Sequence, residues 1–190
     1  MKSLWSMYPA LLEWETCNDI ITHANKIRPV DANIGTDRQV NPSVRASTVR
    51  WINYENEDFT DVWKFIERKF KQANAENFGV NIDYLPPLQF TTYSHTPEAD
   101  GHYDWHVDIF WEAGNLSDRK LSMVIQLSDP KDYDGGELQF EGVTVHPDPK
   151  EFKQRGSVII FPSFVKHRVT PVTRGTRHSL VGWIQGPTWR

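Results

Sequence analysis

Residues 156–184 read GSVIIFPSFVKHRVTPVTRGTRHSLVGWI. Three strand-length runs stand in this stretch: Ser157–Phe161, His167–Val172 and Ser179–Ile184. Pro162-Ser163 and Thr173-Arg174-Gly175-Thr176 punctuate them, and the second punctuation reads as a hairpin turn. Upstream the same rhythm continues through Leu88–Tyr93, Tyr103–Phe110, Leu121–Leu127 and Glu137–Phe140, split by PEADG, DPKDYDGG and HPDPKEFKQRG. About seven short strands parted by turn residues suggest a sandwich or jelly roll.

Before Pro86 the pattern is mostly helical. Phe59, Val62, Trp63, Ile66, Phe70 and Ala73 form one apolar stripe, and Gly79 supplies a stop signal. Thr16 with Asp19 reads as a helix start, followed by Ile20, Ile21, Ala24 and Ile27 until Pro29. Residues 31–48 read as a polar loop, and Val49–Tyr54 as a short strand with Val49 and Trp51 on one side. The expected fold class is α+β, mainly β: a double-stranded β-helix (jelly roll, cupin-like) with N-terminal helices packed on one sheet. It is read as a single domain over 1–190, with a helical support region at 1–85 and a jelly-roll core at 86–190.

The composition narrows the function. The 190 residues carry 21 Lys+Arg and 25 Asp+Glu, a formal charge of −4, which argues against a general nucleic-acid binder. A single cysteine, Cys17, excludes an intramolecular disulfide and any multi-cysteine metal site. The N-terminal stretch MKSLWSMYPALLEW lacks the unbroken apolar run of a secretory signal, and no run approaches a membrane span, so a cytoplasmic protein is expected. Aromatics make up 13% of the chain, with eight tryptophans, enough flat rigid surface for a thick core or a lined pocket.

His106-Val107-Asp108 is the first residue group that points to chemistry. In a strand, residues i and i+2 share a face, so imidazole and carboxylate can converge. A second histidine would complete a two-His, one-carboxylate set, which leaves open positions on iron(II). His167, 61 residues further on, is the best candidate. Ten residues later comes Arg177; two strands joined by the 173–176 turn would set both side chains toward one interior. A guanidinium there needs an anion, because an unpaired buried charge is costly. A diacid with one end on the metal would place its far carboxylate on Arg177 as a two-pronged pair. Ser179, two residues on, could add a hydroxyl.

These residues resemble the iron(II)- and 2-oxoglutarate-dependent dioxygenases, in the prolyl 4-hydroxylase-like branch with its bacterial PKHD-type relatives. The likeness is carried by Tyr103-x-x-His106-x-Asp108, by LSDPKDYDGGEL at 127–138, by GSVIIFP at 156–162 and by His167-x-Val-Thr-Pro-Val-x-x-Gly-x-Arg177-x-Ser179. It spans about residues 88–186. The resemblance implies that His106, Asp108 and His167 bind Fe(II). Arg177 would hold the distal carboxylate of 2-oxoglutarate, O2 would be the second cosubstrate, and Tyr93 would contact 2-oxoglutarate. It also implies hydroxylation of a C–H bond, with release of succinate and CO2, on a peptide, protein or amino acid; a prolyl residue is one option. A carboxylate at 108 favours hydroxylation over halogenation. Gln126 stands where many animal relatives carry a tyrosine.

Other readings stay beside this one. Tyr103, Trp105 and Trp111 are candidates to line the substrate mouth, and Arg50 is either a rim contact or a solvated charge. His95 and His102 fall in a polar loop, His146 in a turn, His23 on an exposed helix face, and His178 alternates with Arg177 and should face outward. Asn115-Leu116-Ser117 fits a glycosylation pattern without a secretion signal. The rival class is a non-catalytic jelly-roll module that binds a metal or ligand without turnover. A diacid anchor at Arg177 distinguishes the enzyme from it.

Overall fold

A computed structural model describes residues 1–31, 41, 43–109 and 116–189. In chain order the strands are β1 (Ser6–Tyr8), β2 (Val30–Asp31), β3 (Arg45–Ala46), β4 (Thr48–Ile52), β5 (Leu88–Ser94), β6 (Gly101–His106), β7 (Ser117–Gln126), β8 (Tyr133–Gly135), β9 (Leu138–Phe140), β10 (Val158–Pro162) and β11 (His167–Pro187). The helices are α1 (Trp14–Ala24), α2 (Thr60–Ala73) and α3 (Pro149–Lys153). The major sheet runs β1-β10-β7-β11-β5-β4-β2. Facing it, a minor sheet joins β3, β6, β8 and β9 around the first part of β11. The expected mainly β sandwich with helices on one sheet is what the chain forms.

Both faces of the major sheet are covered, which explains its near-continuous apolar runs. Alternation along β7 sends Leu121, Met123 and Ile125 toward the helices, where they meet Ile66 and Phe70 of α2. Val124 of the same strand joins Ile159, Phe161 and Leu138 between the two sheets. The helical stripe read from sequence is the buried face of α2: Trp63, Ile66, Phe70 and Ala73 are all buried. α2 runs on into a π-helical turn, Asn74–Phe78, and Gly79 ends that turn in the left-handed region at φ 64°.

Three sequence expectations change. First, α1 begins at Trp14 behind Glu13, so Thr16 lies inside the first turn and does not cap it. Second, the N-terminal part supplies four strands as well as helices, and β1 and β4 extend the major sheet. Third, residues 173–176 do not form a hairpin joining paired neighbours. One strand, with bulges, runs from His167 to Pro187, with β6, β8 and β9 as partners up to Gly175 and β5 and β7 after it. The stretch is a corner at which one strand leaves the minor sheet for the major one. Gly175 makes this possible: its φ is +71°, and a Cβ would lie 1.9 Å from the Asp132 carbonyl oxygen. Among smaller differences, HPDPKEFKQRG contains α3, whose start is set by Asp148 accepting from Lys150 N and by Pro149 in the first turn.

Phe70 is fully buried between α2 and the major sheet. Phe70→Ala is expected to cost about 3–5 kcal/mol of stability, read as a lowered urea midpoint. A change below about 1 kcal/mol would mean that α2 does not depend on this contact.

Candidate active site

The two sheets enclose a cleft of about 550 Å³. His106, Asp108 and His167 meet in it. His106 Nε2 lies 3.6 Å from Asp108 Oδ1, and His167 Nε2 lies 3.6 Å from Asp108 Oδ2. All three ligand-type atoms fall within 4.8 Å of one another.

Local structure aims each of these groups. β6 ends at His106, short of the expected Phe110, so Asp108 stands just beyond the strand. Its backbone N–H donates to the Ser163 carbonyl at 2.9 Å, which ties the segment to the turn after β10. Its Oδ2 accepts from Ser122 Oγ at 2.7 Å. His106 is opposite His167 across β6 and β11. The Nδ1 of His106 bonds the Asp104 carbonyl at 2.7 Å, and that of His167 bonds the Val165 carbonyl at 2.9 Å. Each carbonyl can only accept, so Nδ1 carries the proton and the Nε2 lone pair faces the shared point.

Electrostatics keep this set ready to bind a cation. Burial and the neighbouring His167 push the His106 imidazole down to about 3, against the upward pull of Asp108. Burial raises the Asp108 carboxyl, but His167, His106, Arg119 and the Ser122 hydroxyl bond together bring it down to about 2. A neutral imidazole beside an ionised carboxylate is the protonation state a divalent metal requires.

Arg177 reaches the same cleft from the major sheet and is 1% exposed. Its Nε donates to Gln126 Oε1 at 3.0 Å, while both terminal nitrogens are buried without a hydrogen-bond partner among the described residues. Gln126 in turn donates from Nε2 to the Tyr133 hydroxyl at 2.9 Å. Burial pushes the Tyr133 phenol up, opposed by the nearby Arg177 charge, and it stays a neutral hydroxyl. Gly136 packs beneath: at φ +60°, a Cβ there would come within 2.8 Å of Arg177 Cδ. The guanidinium is therefore held by its Nε and its stem, and its two-pronged end is left for an anion.

Tyr93, Ser179 and Tyr103 also line the cleft, as their sequence positions suggested. Tyr103 stacks on His106 with ring centroids 3.5 Å apart. A bulge is the reason. Three residues of β11, His167 to Val169, lie against four of β6, His106 back to Tyr103. The extra residue brings Tyr103 onto the His106 face. Trp105 instead packs against Arg168, whose Cζ is 4.7 Å from the ring, and does not line the cleft. Arg50 also faces away: its Nε caps the Ile27 carbonyl at 3.1 Å and its Cζ lies 5.9 Å over Phe90 on the helix side. Its neighbour Trp51 takes the cleft face, because strand residues alternate. Trp111 and Asn115 lie outside the described residues.

His178 does not face outward: it takes the opposite side of the strand from Arg177 but is half-buried, stacked on Phe90 at 5.2 Å, with burial holding it down to about 4. His23 is half-buried rather than exposed, edge-on to Phe59. The sequence reading missed Gln89, Trp183, Arg119 and Arg45 as cleft residues. Alternation from Tyr93 and Ser179 would have found the first two; nothing in the sequence marked the arginines.

A jelly roll that sets two histidines and a carboxylate beside a buried, open-ended arginine defines a class of metal-dependent enzyme clefts. The profile of the 2OG-Fe(II) oxygenase superfamily matches residues 88–185, and the chain belongs to that family. A PKHD-type hydroxylase of Gloeothece citriformis is 43% identical over 99 residues, covering 52% of this chain and 42% of the relative. One of Hyphomonas neptunium is 41% identical over 113 residues, covering 58% and 47%. The match thus spans under half the length of these relatives. Among solved structures, a Pseudomonas putida prolyl-4-hydroxylase superposes with TM-score 0.73 at 20% identity, over 98% of this chain and 94% of that one. A Trichoplax adhaerens prolyl hydroxylase, solved with a hypoxia inducible factor peptide fragment, gives 0.75 at 14% identity, over 96% and 83%. These two share the fold. Among the described residues, no helix is long and apolar enough to cross a membrane.

The depressed His106 value gives a pH test. In the unfolded chain a histidine binds its proton near pH 6.5, whereas folded His106 stays neutral to about 3. The unfolded state therefore binds more protons between these values, and His106 costs stability as pH falls through that window. Protein without added metal should lose stability from pH 6.5 to 4, by up to about 1.4 kcal/mol per pH unit for this group. His106→Gln should flatten the slope, measured as urea midpoints across that range; an unchanged slope would contradict the assigned protonation.

Proposed function

We propose that this chain is an iron(II)- and 2-oxoglutarate-dependent dioxygenase that hydroxylates a C–H bond and releases succinate and CO2. One observation carries the reading: a fully buried arginine whose two terminal nitrogens have no hydrogen-bond partner among the described residues shares a cleft with a His-Asp-His cluster. The donor set fits the implied groups. His106, Asp108 and His167 would hold Fe(II) through two neutral imidazole nitrogens and one carboxylate, the set suited to that ion with positions left open. Arg177 would receive the far carboxylate of 2-oxoglutarate.

Bound iron supplies the oxygen activation, and the chain's own residues supply everything else. Arg177 orients the diacid through a two-pronged, charge-assisted pair, and Gln126 keeps the guanidinium turned toward it. Ser179 and Tyr93 flank this arm of the cleft. Val124, Leu138, Val169 and Val181 form apolar walls that exclude water around the reacting groups. Ser122 and the two backbone carbonyls fix the ligand set before the metal arrives.

For the prime substrate, the names of the relatives support an amino-acid carbon, with a prolyl residue as one member of that class. Further parts of the reading are a single domain, in which the two cores share the major sheet, and a cytoplasmic setting that suits a lone buried thiol.

Anaerobic titration with iron(II) and 2-oxoglutarate should give a weak visible charge-transfer band in wild type and none in His106→Ala or Asp108→Ala. No band in wild type would favour the non-catalytic module. Arg177→Ala should weaken 2-oxoglutarate about 100-fold or more while iron affinity holds; a joint loss of both would contradict its role.

Gln126→Glu offers an opposite perturbation. It leaves the shape unchanged but sets a carboxylate on Arg177 Nε, competing with the cosubstrate for the same charge. We expect a rise of about tenfold or more in the 2-oxoglutarate dissociation constant, measured by calorimetry with Mn(II). An unchanged constant would mean that Gln126 does not act through the arginine.

A further inference from the structure

The cleft holds more positive charge than the proposed cofactors compensate. The two positive charges of iron(II) and the one on Arg177 are matched by Asp108 and the two carboxylates of 2-oxoglutarate. Arg119 and Arg45 stand outside that balance; Arg119 is drawn to the metal-type cluster, donating to the Asp108 carbonyl at 3.4 Å, and lies 3.9 Å over Trp183, whereas Arg45 has no such tie to a ligand residue. Arg45 is 8% exposed, sits on β3 opposite Tyr103 of β6, and lines the cleft.

Its surroundings explain its position but not its charge. Nε donates to Ser47 Oγ at 2.9 Å, and Cζ lies 4.4 Å over the Tyr103 ring. That ring stacks on His106 at 3.5 Å, so Arg45 is one aromatic layer away from the metal-type cluster. Among the described residues no carboxylate pairs with it within 4.0 Å. Its terminal nitrogens make no hydrogen bond among the described residues either. A cation resting on an aromatic face recovers about 0.5–2 kcal/mol. Unlike those of Arg177, the terminal nitrogens of Arg45 keep contact with solvent, so the fork stands open to an anion that enters the cleft.

Resting on the dioxygenase reading, we propose that the prime substrate carries a carboxylate and that Arg45 receives it, which makes Arg45 a specificity-determining residue. The shared chemistry is a planar two-oxygen anion meeting the fork of a guanidinium. It can come from the α-carboxylate of a free amino acid or from an Asp or Glu side chain in a peptide. Tyr103 supports the arrangement. Its ring lies between the guanidinium and His106 and sets the distance of one from the other.

The test uses the full chain with iron(II), 2-oxoglutarate and O2, and two paired probe sets. One pairs the twenty free L-amino acids with their α-amides. The other pairs short capped peptides containing Asp or Glu with the same peptides containing Asn or Gln. Succinate release is measured, and binding is followed anaerobically by saturation-transfer NMR. In at least one set the acids should support turnover and binding, and the neutral partners should fall short by about tenfold or more; the responding set identifies the source of the carboxylate. Arg45→Gln should raise the half-saturating concentration of the acids alone by about tenfold, and Arg45→Lys by less, with 2-oxoglutarate affinity within about twofold of wild type.

Four results overturn the proposal: neutral probes that serve as well as acids, an equal effect of Arg45→Gln on both partners, a matching loss of 2-oxoglutarate affinity, or no response to any acid by wild type that still binds 2-oxoglutarate. Wild type that fails to bind 2-oxoglutarate overturns the dioxygenase reading itself.

Discussion

His167 and Arg177 lie on one continuous strand, ten residues apart, and the site depends on how that strand bends. Kept straight, ten residues would separate the two side chains by roughly 33 Å. The corner at Gly175 carries β11 from the minor sheet to the major one, so both side chains enter a single cleft. The hydrogen-bond ladders on each side hold the corner in place, with β6 and β9 at the His167 end and β5 and β7 at the Arg177 end. The two functional ends of the cleft are therefore set by backbone geometry that side-chain motion cannot alter.

The cleft's chemistry follows from burying polar groups in a mostly apolar sandwich. Each such group either has a partner or marks a place for one. Asp108 has Ser122, each histidine has a carbonyl, and Gln126 has Arg177 and Tyr133. Among the described residues the terminal nitrogens of Arg177 have no hydrogen-bond partner, and the guanidinium shares the cleft with the His-Asp-His cluster. The helices take no part in this chemistry; by packing on the far face of the major sheet, α2 lets that sheet be rigid on the side that matters.

Much of this was legible in the sequence because period-2 patterning survives in both sheets. The strand runs, the α2 stripe, the His106-x-Asp108 spacing and the interval to Arg177 all carry local signals. Three features did not. The corner at 173–176 looks like a hairpin because Thr-Arg-Gly-Thr suits either, and only the pairing partners tell them apart. Trp105 and Tyr103 share strand parity, and a bulge that no residue type announces sends them to different faces. Arg50 and Arg45 are both arginines beside apolar residues in the N-terminal part, and sequence gave no reason to prefer Arg45. Which of them faces the cleft is decided by which strand each joins: β4 turns Arg50 toward the helices, and β3 sets Arg45 beside β6.

The most direct measurement is anomalous diffraction from a crystal grown with Mn(II) and 2-oxoglutarate without oxygen. One manganese peak should lie within coordination distance of Nε2 of His106 and of His167 and of the Asp108 carboxylate, and the distal carboxylate of 2-oxoglutarate should occupy both terminal nitrogens of Arg177. A peak held by other residues, or an Arg177 fork left empty with the diacid bound elsewhere, would contradict the account.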